Sequence, residues 1–134
     1  MPGKILLVED DSSLMAMYQT EFEANDYQVV QAKTSAEGLE KAKSEQPDVV
    51  LLDIMLPDGD GIATLRKLKA DPETTAIPVV IITNFGSEEL VKQALEGGAE
   101  DFILKYKVVP AEVVKKIAEV LRPGDSNGIG VTSE

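Results

Sequence analysis

The sequence predicts an α/β fold, a doubly wound (βα)5 domain built on a five-stranded parallel sheet. Three observations predict it. Five short apolar runs recur at intervals of roughly 20 to 30 residues, the length of one strand, one helix and two short loops. Amphipathic stretches fill those intervals, and strict alternation of the two signals favours parallel strands with helices on both faces. The run Val49-Val50-Leu51-Leu52, closed by Asp53 and followed by Pro57 and Gly59, reads as a central strand buried on both faces.

The strand runs are Ile5–Val8, Val29–Ala32, Val49–Leu52, Val79–Ile82 and Phe102–Leu104. After the first, Leu14, Tyr18 and Phe22 recur at i, i+4 and i+8 and form one apolar helical face. Thr34-Ser35-Ala36-Glu37 has the spacing of a capping box and opens a helix with Leu39 and Ala42 inward. Ile62, Leu65 and Leu68 mark a third helix, ended by Asp71-Pro72. Ser87 caps a fourth, with Glu88 and Glu89 in its first turn and Gly97-Gly98 at its close. Pro110 suits the first turn of a fifth, whose apolar face is Val113, Val114, Ile117 and Leu121. One domain is expected over 1–122, with 123–134, rich in Gly and Ser, as a tail or the start of a linker.

Composition narrows the chemistry. The chain has 134 residues, of which 43% are hydrophobic, enough for one domain with an ordinary core. Its 24 acidic and 13 basic residues give a formal net charge of −11. That charge argues against direct binding of nucleic acid or an anionic membrane surface, since both require a basic footprint. There is no Cys and no His, so thiol catalysis, imidazole catalysis and Cys- or His-ligated metals are excluded. Acid–base or metal chemistry must use carboxylates, Lys, Tyr or hydroxyls. The N-terminal apolar run is too short for a signal-peptide core, and no run approaches the ~18 residues of a membrane span. The expected location is cytoplasmic.

In an open parallel sheet, ligands bind beyond the carboxyl ends of the strands. Asp53 lies there, and three other strand ends carry chemistry. Glu9, Asp10 and Asp11 follow the first strand, Thr83 ends the fourth and Lys105 ends the fifth. Each has an ordinary reading by itself: acids at a helix start, a β-branched strand residue, a solvated lysine. Together they change meaning. Carboxylates from neighbouring strands one and three repel unless a cation lies between them, and oxygen ligands alone select a hard one, Mg²⁺ or Mn²⁺. Acids, a hydroxyl and an ammonium around one point match phosphoryl chemistry, in which metal and Lys neutralise phosphoryl oxygens and a carboxylate attacks phosphorus.

From about Lys4 to Leu121 the chain resembles the receiver domain of bacterial two-component response regulators, of the single-domain, chemotaxis-regulator-like kind. The resemblance rests on Ile5–Asp11, Leu51–Gly59, Ile81-Ile82-Thr83-Asn84, and Gly98-Ala99 followed by Asp101–Lys105. It implies a flavodoxin-like sheet of order 2-1-3-4-5, and Asp53 as acceptor of a phosphoryl group from a histidine kinase or phosphotransfer protein. It further implies Mg²⁺ held by Glu9, Asp10, Asp53 and the Met55 carbonyl. Thr83 and Lys105 would bond phosphoryl oxygens, Phe102 would be the aromatic switch, and Asp11 a helix cap. The chain would catalyse its own aspartyl phosphorylation and dephosphorylation and act chiefly as a switch. The face of the fourth helix, fifth strand and fifth helix would then meet a downstream protein target or a second copy in a homodimer.

Three features depart from the family pattern. Tyr106 follows Lys105 where a cis proline is usual, so a trans link and a different loop are expected. Asn84 stands where a smaller residue is common. Met55 and Phe85, two residues after Asp53 and Thr83, are bulky at places that govern access of hydrolytic water, so a long-lived acyl phosphate is expected. Two rivals fail on residues. A phosphatase of Asp-x-Asp type has Met55 in place of its second acid, and a flavin carrier would place its phosphate against Glu9-Asp10-Asp11. A phosphorylation-independent receiver-like scaffold is the remaining alternative.

Overall fold

The computed structural model of the chain describes residues 3–121. Five strands, β1 (Gly3–Val8), β2 (Tyr27–Ala32), β3 (Val49–Asp53), β4 (Val79–Thr83) and β5 (Asp101–Leu104), form one parallel sheet. Their spatial order is β2-β1-β3-β4-β5, the flavodoxin-like order expected. The helices are α1 (Ser12–Ala24), α2 (Ser35–Glu45), α3 (Gly61–Ala70), α4 (Glu88–Glu96) and α5 (Pro110–Leu121). The order reverses between β1 and β3, which opens a crevice at their carboxyl ends. No helix among the described residues is long and apolar enough to cross a membrane. The expected tail, 123–134, lies outside the described residues.

Every apolar run becomes a strand, and β1 and β2 each begin two residues earlier than the runs. Lys4 pairs with Gln28 there, backbone to backbone, a ladder contact that apolar patterning does not report. Along β3 the side chains alternate between two cores. Val49 and Leu51 pack with Met15, Tyr18, Phe22, Val113 and Ile117 of α1 and α5. Val50 and Leu52 pack with Ala42, Leu65, Leu68 and Ala94 of α2, α3 and α4. The four apolar side chains of β3 are fully buried, each contributing about 1.5–3 kcal/mol by leaving water.

The helix starts follow the sequence with one adjustment. Asp11 Oδ1 accepts from the Leu14 amide at 3.0 Å, and Ser87 Oγ from Leu90 at 3.1 Å. Thr34 Oγ1 accepts from Glu37 at 3.1 Å, but the reciprocal half of the expected capping box is displaced. Glu37 Oε1 takes the Lys33 amide at 2.7 Å, one residue ahead of the cap. The Lys105–Tyr106 link is trans, with no cis bond among the described residues, and Lys105–Lys107 form a 3-10 turn leading to α5.

The segment after β3 is a feature the sequence did not announce. Met55–Leu56 and Gly59–Asp60 pair as a small antiparallel hairpin with Pro57-Asp58 at its tip. Gly59 turns it at φ 151°, a conformation other residues rarely adopt. Gly61 then opens α3 so close to β3 that a Cβ would lie 2.2 Å from Ile54 Cα and 2.8 Å from the Asp53 carbonyl oxygen. Gly61→Ala therefore has to push backbone from backbone. We expect a loss of about 3 kcal/mol, the upper range for overpacking, read as a lowered urea midpoint. A midpoint equal to that of the unsubstituted chain would show that this approach is not tight.

Candidate functional site

The strand period explains why the charged groups meet. On β1, β3 and β5 the odd-numbered side chains Ile5, Leu7, Val49, Leu51 and Ile103 face α1 and α5. Glu9, Asp53 and Lys105 continue that odd series at the carboxyl ends of the same three strands. They emerge on one side of the sheet because each strand carries its chemical residue in the same phase. β1 and β3 are direct neighbours, so Glu9 and Asp53 need no long reach.

Lys105 joins them. Its Nζ lies 2.6 Å from Glu9 Oε1 and 2.8 Å from Asp53 Oδ2, and all three side chains are nearly closed to solvent. The remaining oxygens are also used: Glu9 Oε2 accepts from the Asp11 amide at 3.0 Å, and Asp53 Oδ1 from the Met55 amide at 3.0 Å. Burial pushes the Glu9 carboxyl above its usual value, against the opposing bonds from Lys105 and Asp11, and the Asp53 charge adds to the rise. Burial works against the Lys105 ammonium, yet its bonds to Asp53 and Glu9 outweigh that penalty and hold its pKa above the ordinary lysine value.

Asp10 is exposed at the mouth of this arrangement. One carboxylate oxygen each from Glu9, Asp10 and Asp53 lie within 4.8 Å of one another. An all-oxygen set of that kind fits a hard divalent cation and offers nothing to a thiophilic one. The cluster also sets three carboxyl groups against one lysine, a grouping with room for a cation's charge.

Thr83 and Phe102 belong to the opposite face. Val79 and Ile81 of β4 pack with α3 and α4, and Thr83 continues that series, fully buried. Its Oγ1 accepts from the Phe85 amide at 3.2 Å, which leaves the hydroxyl hydrogen free to donate elsewhere. Phe102 is half-buried against the same core and lies beside Ile81 in the sheet register. Met55 and Phe85 are 55% and 53% exposed, so both stand at the surface rather than in a core. Tyr106 projects into solvent beyond Lys105.

Two participants were not legible as such. Tyr18 was read as core, and it is buried, but it also lies near the charged cluster. Burial pushes its phenol up, and it feels the charges of Lys105, Glu9 and Asp53. Asp58, to which the sequence assigns no role, accepts from the amides of Ser35 and Ala36 at 2.7 and 3.1 Å. Helical period reports burial and turn composition reports a bend; neither reports what a side-chain tip touches.

Known proteins of this arrangement are numerous. Residues 5–118 match the response regulator receiver domain family. The chain is 38% identical over 130 residues to the phosphate regulon transcriptional regulatory protein PhoB of Pseudomonas aeruginosa, covering 94% of this chain and 56% of that protein. It thus spans just over half the length of that relative. The polar-differentiation response regulator DivK of Brucella anthropi is 35% identical over 113 residues, covering 82% of this chain and 89% of DivK. A CheY-like response regulator receiver domain protein from Methanospirillum hungatei superimposes with a TM-score of 0.85 at 31% identity, covering 92% and 96% of the two chains. By sequence, fold and the residues at its strand ends, this chain belongs to the receiver domain family of two-component response regulators.

Proposed function

We propose that the chain is the phosphoacceptor of a two-component phosphorelay in the cytoplasm, taking a phosphoryl group on Asp53 from a histidine kinase or phosphotransfer protein. The observation that carries this reading is the lysine bridge at the sheet's carboxyl edge, with Nζ of Lys105 within 2.8 Å of both Glu9 and Asp53. Glu9, Asp10, Asp53 and the Met55 carbonyl would hold Mg²⁺, with Mn²⁺ as a substitute. When bound, that ion supplies positive charge to the phosphoryl oxygens.

The protein's own groups account for the rest. An Asp53 carboxylate oxygen attacks phosphorus as the phosphorus–nitrogen bond of the donor imidazole breaks. The electron pair stays on that nitrogen, and an acyl phosphate results. Phosphorylation removes the carboxylate charge of Asp53 that Lys105 now neutralises and places phosphoryl oxygens nearby. Lys105 follows the charge, moving its hydrogen bond from carboxylate to phosphoryl oxygen. Thr83 donates its hydroxyl hydrogen to another. Because the Phe85 amide is bonded to Thr83 Oγ1, movement of Thr83 pulls on the loop ahead of α4. Phe102, on the same face, takes up the space released. The face of α4, β5 and α5 thereby acquires a second arrangement that a downstream protein or a second copy distinguishes.

The test is incubation with acetyl phosphate and Mg²⁺ followed by intact-mass measurement. Gain of one phosphoryl group is expected, abolished by chelator. No gain in a folded sample would favour the phosphorylation-independent scaffold. The same sample checks the lifetime. With Met55 and Phe85 at the two positions flanking the acceptor, water reaches phosphorus slowly, and the acyl phosphate should persist for minutes or longer. Decay within seconds in Mg²⁺ buffer would defeat that expectation.

A further inference from the structure

We infer that Asp58 is a positioning residue for the divalent-cation site, tying the hairpin that carries Met55 to the first turn of α2. The inference rests on the assignment of Glu9, Asp10, Asp53 and Met55 given above.

The hairpin has little of its own to hold it. Each arm is two residues long, and of its paired residues only Leu56 is buried. An isolated hairpin of this size is not stable in water. Its base is secured to α3: Asp60 Oδ1 accepts from Ile62 at 2.8 Å, and the Gly61 amide donates to the Ile54 carbonyl at 3.0 Å. Its tip, Pro57-Asp58, is secured among the described residues by the Asp58 carboxylate. Oδ1 accepts from the Ser35 amide at 2.7 Å and Oδ2 from the Ala36 amide at 3.1 Å.

A carboxylate suits this task because two first-turn amides converge there and the helix end carries partial positive charge. Those two amide bonds hold the Asp58 carboxyl below its usual value, so it stays ionised. Thr34 takes the next amide of the turn, that of Glu37, without touching the hairpin. A 2.5 Å hydroxyl bond between Ser35 and Thr64 joins α2 to α3, closing a frame around the hairpin. Met55 lies between the two anchors, its amide on Asp53 Oδ1. Fixing the tip therefore narrows the positions open to the Met55 carbonyl. By linkage, a cation that orders Met55 also orders the start of α2.

The experiment compares the unsubstituted chain with Asp58→Ala and Thr34→Ala. Both variants uncap α2, but only the first frees the hairpin. Mg²⁺ affinity is measured by calorimetry, and exchange of the Ser35 and Ala36 amides is followed with and without Mg²⁺. Outer-shell partners typically change metal affinity about 10–100-fold; acting through a hairpin, Asp58→Ala should weaken Mg²⁺ about fivefold and Thr34→Ala less than about twofold. At saturating Mg²⁺, the rate of phosphorylation by acetyl phosphate should return to that of the unsubstituted chain. Mg²⁺ should slow exchange at Ser35 and Ala36 in the unsubstituted chain and in Thr34→Ala, but not in Asp58→Ala. Equal Mg²⁺ affinity in the two variants, or no Mg²⁺-dependent protection in the unsubstituted chain, would overturn the tether. Absence of Mg²⁺ binding to the unsubstituted chain would overturn the site assignment itself and the tether with it.

Discussion

Asp53→Asn protein, incubated with acetyl phosphate and Mg²⁺, is expected to gain no phosphoryl group under conditions in which the unsubstituted chain is expected to gain one. The amide has no anionic oxygen, and its nitrogen pair is delocalised, so neither atom replaces the attacking carboxylate. The change costs the site one bond, since the asparagine NH2 faces Lys105 Nζ where Asp53 Oδ2 accepted from it, and the others survive. Asparagine Oδ1 can still accept the Met55 amide now bonded to Asp53 Oδ1. Lys105 keeps its 2.6 Å partner Glu9. One of two neighbouring buried negative charges is removed, so stability should move by less than about 1 kcal/mol. Intact mass and thermal unfolding, measured on one sample, separate lost chemistry from lost structure. A phosphoryl increment persisting in Asp53→Asn would place the acceptor elsewhere and sink the assignment.

Lys105→Met has the second large effect, and it acts on stability as well as chemistry. The substitution keeps an unbranched chain but strands the Glu9 and Asp53 carboxylates, both almost closed to solvent, without a counter-charge. Removing one partner from a buried ion pair costs ~3–5 kcal/mol. With exposed Asp10 leaving the mouth open to water, we expect about 3 kcal/mol at neutral pH, a fall in Tm of roughly 10 °C. The sign of the pH dependence follows from Glu9. Its folded-state pKa is already raised, and loss of Lys105 raises it further. Stability contributed by such a group is complete below the unfolded carboxylate pKa and is lost as pH rises through the folded one. The variant should therefore recover towards the unsubstituted chain on acidification into the carboxylate range. Lys105 itself stays charged until alkaline pH in the unsubstituted chain, so its contribution there is steady across neutrality. Mg²⁺ should also raise the variant's Tm more than that of the unsubstituted chain, because the ion supplies the missing positive charge. Equal Tm values at neutral pH would show that the bridge contributes nothing to the fold.

Much of this protein was legible in the chain because its signals are local. A run such as Val49–Leu52 has one stable use, a strand covered on both faces, and strict β-α alternation leaves a parallel sheet as the way to cover it. Phase along a strand is local too. Asp53 ends β3, and Glu9 and Lys105 sit one step past β1 and β5, so their place at the sheet's carboxyl edge follows from counting. Capping by Asp11, Thr34 and Ser87 was legible for the same reason, since the cap and its partner amide lie three residues apart.

What the tertiary structure alone decided depends on partners far apart in sequence. Lys105 bridges to Glu9 across 96 positions and to Asp53 across 52; no pattern in the chain states that one ammonium serves both acids. Gly61 resembles any loop glycine until α3 is seen pressed against Ile54. Asp58 looks like a turn residue until the start of α2 arrives 22 and 23 positions away. The sequence by itself determined which residues form strands and which chemistry gathers at their ends, because both depend on neighbours along the chain. Only folding decided which oxygen meets which nitrogen, because that depends on side chains brought together by the packing of the whole sheet and its helices.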